Sequence, residues 1–281
     1  MADDEKRDWN STAAGWKKWH GVSEKAAQSA TENMLDMAGV SEGDRVIDFA
    51  TGLGDTAIAC ARRVGDAGYV YATDSSFAML EFAEEYASGH GLTNVSFGRA
   101  DFNDLVVDEN GFDAGICRWG LMFAADLVAS LRSIRSLLRP GGTFAAIVWG
   151  PSERAEVHTL SNTVLMETLG EPPIPTGKGT PFALCDREEL EGNFASAGFT
   201  NVESQVVSVV HEFPSAEDYA GYRKERSSIG KRIAHRSKAD QDRAWAAVVR
   251  AADKRARPDH SVRFVSETIV VAGQNAVQQY F

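Results

Sequence analysis

The chain has 281 residues, 43% hydrophobic and 25% charged, enough for one large domain with a sizeable core or for two small ones. Its 29 basic against 40 acidic residues leave a net charge of −11, which disfavours a nucleic-acid partner, since phosphate binding needs a basic face. Cys60, Cys117 and Cys185 lie far apart with no C-x-x-C pair, the N-terminus MADDEKRDWN is charged, and no run approaches the ~18 apolar residues of a membrane span, so a disulfide framework, a signal peptide and an integral membrane segment are not expected and a cytoplasmic location is.

The first forty residues read as helical. Trp9, Trp16 and Trp19, spaced by seven and three, fall near one helical face. Such a stripe fits a helix packed on a core, or a lid over a ligand. Residues 23–37 continue the helical pattern, with Ser23 as the expected cap. From Arg45 the chain alternates strand and helix. Strands are expected at 45–49, 68–73, 95–98, 112–117 and 143–149. Helices are expected at 55–64, 76–88 and 127–138, the last stopped by Pro140-Gly141-Gly142. Strands separated by helices argue for a parallel sheet with right-handed crossovers. Beyond residue 150 the pattern changes. Residues 155–169 and 188–197 read as helices, and 171–181, with four of the eight prolines, as a loop. Residues 201–213 and 262–272 read as strands at an antiparallel sheet edge, with a charged helical insertion at 215–257 between them.

The stretch VIDFATGLGDT (46–56) carries the sharpest signal. Glycines after a strand let backbone approach a ligand and then turn into a helix. Gly52-Leu53-Gly54-Asp55-Thr56-Ala57 satisfies G-x-G-x-x-A, which fits a dinucleotide. A dinucleotide, however, puts an anionic pyrophosphate at the helix N-terminus. Asp48 at the strand end and Asp55 at the helix start would repel it, and suit a ligand with an ammonium and a sulfonium, such as S-adenosylmethionine. Asp74, twenty residues after Gly54, ends the second strand, where a carboxylate can accept two ribose hydroxyls from either cofactor. Asp101 ends the third strand, placed to accept from an adenine amino group with Phe102 or Met79 against the ring. Each aspartate alone is more often a cap or turn residue. Three acidic strand ends in successive strand–helix units point to one ligand, because ligands bind at the carboxyl ends of such strands.

These residues resemble the class I S-adenosylmethionine-dependent methyltransferases, and most closely those of ubiquinone/menaquinone biosynthesis. The resemblance rests on VIDFATGLGDT (46–56), GYVYATDSSFAML (68–80), GLTNVSFGRAD (91–101), FDAGICRWGLMF (112–123) and LRSIRSLLRPGGTFAAIVWG (131–150). PFALCDREELEGNFASAGFTNVE (181–203) and the N-terminal R-D-W-N…G-W-K-K-W extend it. Ala50 stands where the family often has glycine. The resemblance implies an α/β, Rossmann-like, doubly wound seven-stranded sheet with its last strand antiparallel. A helical lid at 1–40 would precede a methyltransferase domain at 41–281, with a cofactor core at 41–150 and an acceptor side at 151–260. The cofactor contacts expected are Trp16, Asp48, Ala50, Thr51, Gly52, Gly54, Asp74, Ser75, Met79, Ala100, Asp101, Phe102, Arg118 and Trp119, with S-adenosylhomocysteine as the product.

Methyl transfer is an in-line displacement in which the protein mainly orients and desolvates. A base is needed only where the acceptor must lose a proton. His20, in the lid, and His158, after the fifth strand, are the catalytic candidates, although a structural role is the commoner use of such a residue. Arg118, Arg223 and Arg226 could orient an acidic acceptor or the cofactor carboxylate. No metal-ligand spacing is present, and the Asn/Asp-Pro-Pro-Tyr/Phe motif of nucleobase methylases is replaced by Cys117-Arg118-Trp119-Gly120. The expected partner is a small-molecule acceptor, with a homodimer left open. The alternatives are a nicotinamide-dependent oxidoreductase and a non-methylating cofactor-binding protein on the same fold.

Overall fold

The structure, a computed structural model, describes residues 9–276. A 3-10 turn at Asn10–Thr12 leads into α1 (Ala13–Lys18) and α2 (His20–Met37). The central units follow: β1 (Arg45–Phe49), α3 (Asp55–Val64), β2 (Tyr69–Asp74), α4 (Phe77–Gly89), β3 (Val95–Arg99), β4 (Phe112–Arg118), α5 (Leu127–Leu137) and β5 (Leu138–Trp149). Then come α6 (Glu156–Leu169), α7 (Arg187–Ser196), β6 (Phe199–Phe213), α8 (Ala216–Arg226), α9 (Ile229–Arg232), α10 (Lys238–Asp253) and β7 (Val262–Asn275).

The seven strands form one sheet in the order β3-β2-β1-β4-β5-β7-β6. β1 pairs in parallel with β2 and β4, and β7 runs antiparallel to both β5 and β6. The Rossmann-like sheet with an antiparallel last strand is therefore present. β1 lies inside the sheet, between β2 and β4, with helices on both faces, which is why it reads as a nearly unbroken apolar run. Val46, Ile47 and Phe49 are buried in it, Arg45 at its start is exposed, and Asp48 is its one buried polar residue. The order reverses between β1 and β4, so the loops at their carboxyl ends diverge and leave room for a ligand.

Two local expectations are corrected. Ser23 does not cap a helix: α2 already begins at His20, after a break at Trp19 whose own side chain makes no cap bond. Ser23 lies inside that helix and accepts a hydrogen bond from Arg226 Nη1 (2.6 Å). Pro140-Gly141-Gly142 does not separate helix from strand either. Sheet pairing begins at Leu138 and passes through that triplet with a register shift against Phe112/Ala114, a bulge that absorbs the proline and glycines. α2 lies along the sheet, burying Ala26, Ala27, Ala30, Met34 and Leu35. The 215–257 insertion is helical, as α8 to α10.

α3 starts at Gly54, which has φ 89° and no side chain to cap the helix. A Cβ there would also come within 3.0 Å of Ala83 Cβ on α4. Gly54→Ala combines a left-handed backbone, costing roughly 1–2 kcal/mol for a non-glycine residue, with that crowding. It is expected to lower stability by at least about 1 kcal/mol in urea unfolding. A variant as stable as the parent would show that the turn can relax.

Candidate functional site

The loop after β1 is built from backbone that L-residues avoid. Gly52 has φ 58°, and Ala50 adopts φ 54° without being glycine. Ala50 is tolerated because Gly120 faces it: a Cβ on Gly120 would lie 2.5 Å from that of Ala50. Trp119, next to Gly120, is also left-handed (φ 55°). Strain of this kind on adjoining strand ends concentrates at functional sites. A Cβ on Gly52 would meet nothing within 4 Å, so this part of the loop is open.

Asp48 is fully buried, and its Oδ2 accepts a hydrogen bond from Thr56 Oγ1. Burial pushes its pKa up to about 7, which the hydroxyls of Thr56 and Thr51 and the charge of Arg118 only partly offset. Asp74 ties the loop to β2, its Oδ2 accepting from Gly52 N and its Oδ1 from Ser76 N, both at 2.9 Å. Burial raises its pKa as well, against those backbone bonds. Ala100 N donates to Asp74 O (3.1 Å), bringing the β3 end alongside. Asp101 accepts from the backbone and side chain of Asn103, and Phe102 packs on Phe49 with ring centroids 6.1 Å apart.

Arg118, at the end of β4, donates from Nη1 to Thr31 Oγ1 on α2 (2.8 Å) and from Nη2 to Asp55 Oδ2 on α3 (2.7 Å). The other oxygen of Asp55 is bonded to His20 Nε2. Burial works against the Asp55 carboxylate, but the His20 bond and the Arg118 charge hold its pKa below the usual value. Asp48 and Asp55 are thus not the two bare negative charges that the sequence suggests. One titrates near neutrality, and the other is compensated by Arg118.

The N-terminal segment lies over this loop. Asn10 Oδ1 accepts from Ser76 Oγ (2.8 Å) and Ala78 N (3.3 Å) at the start of α4. Ala13 is buried with Leu53 and Met79, and Trp16 packs against them. On the other side, Lys18 Nζ and Trp19 Nε1 both donate to Glu225 of α8 at 2.8 Å. The Arg226 guanidinium sits 3.5 Å from the Trp16 ring centroid. The segment thus spans from α4 to α8.

Beyond Arg118 the region becomes aromatic. Trp119 and Trp149 stack at 4.6 Å with 2° between planes. His158 meets Trp149 edge-on, and its Nδ1 is 3.0 Å from Arg223 Nη1. His211, on β6, is buried, and burial followed by the charges of Arg226 and Arg223 lowers its pKa to about 3, so the ring is neutral.

Among the described residues, seven buried side-chain nitrogen or oxygen atoms have no hydrogen-bond partner, and six belong to this region: Trp16 Nε1, Asp48 Oδ1, Thr51 Oγ1, Trp119 Nε1, His211 Nδ1 and Arg226 Nε. Native proteins rarely leave such atoms unsatisfied, so their concentration beside an open glycine turn marks a ligand site. Both donors and acceptors are present, which suits a zwitterionic ligand. Two open clefts lie elsewhere, one of about 680 Å³ between α2 and β6 and one of about 410 Å³ against α5 that reaches this region only at Phe102. No three His, Cys, Asp or Glu side chains among the described residues are grouped to hold a metal ion.

The structure brings Trp16, Asp48, Ala50, Thr51, Gly52, Asp74, Arg118, Trp119 and His20 into one connected site, with Gly54 and Met79 beneath the N-terminal segment. Ser75, Ala100, Asp101 and Phe102 lie at its β2–β3 flank. His158 sits apart from His20, with Arg223 and Trp149. Sequence reasoning missed Trp149, His211 and Thr31. The position of Trp149 at a strand's carboxyl end was a usable signal; nothing in the local pattern marked His211 or Thr31.

Residues 40–167 match a family described as a methyltransferase domain. The ubiquinone/menaquinone biosynthesis C-methyltransferase of Idiomarina loihiensis is 37% identical over 181 residues, covering 61% of this chain and 72% of that protein. Its counterpart in Edwardsiella ictaluri is 29% identical over 177 residues, 59% and 70% of the two chains. A crystal structure of an S-adenosylmethionine-dependent methyltransferase from Aquifex aeolicus superposes with a TM-score of 0.50 at 24% identity, over 64% of this chain and 83% of that one.

Because burial raises the Asp48 pKa from 3.8 to about 7, the folded state holds a proton that the unfolded state releases, and stability falls as pH rises through that window. Asp48→Asn stays neutral and escapes the fall. Urea unfolding without cofactor should show the variant more stable than the parent above pH 7, by up to about 4 kcal/mol, with the gap closing as pH drops towards 4. A gap independent of pH would contradict this.

Proposed function

This chain belongs to the class I S-adenosylmethionine-dependent methyltransferases, in the family of the ubiquinone/menaquinone-biosynthesis C-methyltransferases, and from that premise we propose how its own residues divide the work. It transfers a methyl group from S-adenosylmethionine to a small-molecule acceptor. The cofactor, when bound, supplies an electrophilic methyl group activated by the adjacent sulfonium.

The residues present fit that cofactor. Asp48 Oδ1 and the neighbouring Thr51 Oγ1, buried and without a full hydrogen bond to the protein, would take its ammonium group. Gly52 leaves the space for its chain, and Asp74 would accept from the ribose hydroxyls while still holding the loop backbone. Phe102 and Met79 would flank the adenine, with Asp101 at its amino group. The turn into α3 has no side-chain cap, so its free N–H groups can serve the cofactor carboxylate. Residues 9–18 act as the lid, closing by the Asn10 and Glu225 contacts and excluding water from the transfer.

The acceptor is read as a planar aromatic ring, and the observation that carries this is the parallel Trp119–Trp149 pair beyond Arg118. A ring lying on such a wall is held by stacking and apolar burial. The relatives' quinone acceptors are rings of this kind. With Nε2 committed to Asp55, the Nδ1 of His20 is the nitrogen left to take a proton from the acceptor. Asp55, itself held by Arg118, orients the ring. His158 is the less favoured base, because its Nδ1 lies against Arg223. No helix among the described residues is long and apolar enough to cross a membrane, and the three cysteines are free, which supports cytoplasmic work on a small molecule.

The test is methyl transfer from labelled S-adenosylmethionine to a short-chain naphthohydroquinone. Product is expected with the parent. His20→Gln should lower kcat by about 10²–10⁴-fold with the cofactor affinity kept, the usual worth of a general base. Unchanged kcat in that variant would remove His20 from the chemistry. Transfer to aliphatic amines or alcohols but to no aromatic ring would overturn the acceptor reading.

A further inference from the structure

The acceptor side of the site carries positive charge that the protein does not neutralise. Arg223 is buried, and its three hydrogen bonds all go to uncharged groups: Nε to Ser161 Oγ (2.9 Å), Nη1 to His158 Nδ1 (3.0 Å) and Nη2 to Asn162 Oδ1 (3.2 Å). Arg226, one helical turn away on α8, lies over two rings, 3.5 Å from the Trp16 centroid and 4.5 Å from that of Tyr222. Its Nη1 donates to Ser23 Oγ. Among the described residues its Nε and Nη2 have no partner, and the Nε is buried. Neither arginine forms an ion pair among the described residues, although the chain as a whole is at −11.

Burial disfavours both guanidinium charges. Arginine keeps its proton under such pressure and so needs a counter-charge or dense hydrogen bonding. The carboxylate that acts on Arg226 is Asp55, and both oxygens of Asp55 are already taken by His20 and Arg118. Glu225, the neighbour in sequence, is turned to Lys18 and Trp19. Nor does the cofactor neutralise this side. S-adenosylmethionine sets one carboxylate against an ammonium and a sulfonium, and so adds positive charge to a site that already holds Arg118, Arg223 and Arg226.

We propose that the acceptor is an anion, an aromatic ring bearing a carboxylate, and that Arg226 binds this carboxylate through its free Nε–Nη2 edge while Arg223 lends its field from behind. This inference rests on the aromatic acceptor read above. The free edge of a guanidinium matches a carboxylate with two parallel N–H···O bonds. The contacts with the Trp16 and Tyr222 rings and the bond to Ser23 hold the Arg226 guanidinium, so the fork is set before the ligand arrives. The anion would also offset the positive charge of the cofactor where the two ligands meet. Arg226 is here a specificity-determining residue that separates acidic rings from the uncharged quinols of the relatives.

The test is calorimetric binding of 1-hydroxy-2-naphthoate and of its methyl ester to the protein saturated with S-adenosylhomocysteine. The acid is expected to bind about tenfold or more tightly than the ester, with the preference shrinking as salt is raised. Arg226→Gln should bring the acid down to the level of the ester, and Arg226→Lys should recover only part of the preference, since lysine lacks the fork. Both variants should keep S-adenosylhomocysteine affinity within about twofold, which also shows that they fold. Equal binding of acid and ester by the parent overturns the proposal. So does an Arg226→Gln variant that loses S-adenosylhomocysteine as strongly as the acid, because the arginine would then serve the cofactor carboxylate. If neither probe binds while the naphthohydroquinone is methylated, the anion is wrong and the aromatic reading stands. If neither probe binds and no ring is methylated, both fall.

Discussion

The Arg118 guanidinium fixes the geometry on which the site depends. It leaves the end of β4 and reaches Thr31 on α2 and Asp55 on α3, so one side chain joins the central sheet to helices on the same side of the site. Asp55 passes the link to His20, at the first residue of α2. Both partners of the ion pair are largely shielded from water. A pair in this setting adds little stability over an apolar substitute, yet removing one member strands the other and costs about 3–5 kcal/mol. Its value is therefore positional: it sets where the strand ends, the start of α3 and α2 meet.

Much of this was legible in the sequence, for a physical reason. A parallel sheet covered on both faces must be apolar along its strands, and its ligand loops must be glycine-rich, so the succession of strands, the loop and the aspartates at or just beyond three strand ends were all printed locally. The charge reasoning from the same loop was less secure. Asp48 and Asp55 look alike in sequence, but one is buried without an ion pair and titrates near 7, while the other sits on Arg118 and is held ionised. Burial and distant partners decide the charge state, and neither is visible in eleven consecutive residues. Ser23 shows the same limit at the level of helix caps, because Trp19, where the helix breaks, is bonded to Glu225 on α8, 206 residues away in sequence.

The acceptor side was the least legible. Trp119, Trp149, His158, His211, Arg223 and Arg226 come from five elements or loops, spread from the end of β4 to α8, and only the sheet brings them together. Their chemistry differs from that of the cofactor side. Around the glycine loop the unsatisfied atoms are mainly carboxylate and hydroxyl oxygens, suited to a cationic group. Across the tryptophans they are mainly ring and guanidinium N–H groups, suited to an anion. On the proposed reading, an electrophile and an electron-rich acceptor would be received by opposite polarities among largely buried groups, where low dielectric strengthens both preferences.

The most direct test of this arrangement is a crystal structure with S-adenosylhomocysteine bound. The ribose hydroxyls should lie within hydrogen-bond distance of Asp74, the amino group against Asp48 and Thr51, and the sulfur should face the Trp119–Trp149 wall. A ligand seated elsewhere, or one that leaves Asp48 and Thr51 without partners, would contradict the reading of these buried atoms as the cofactor site.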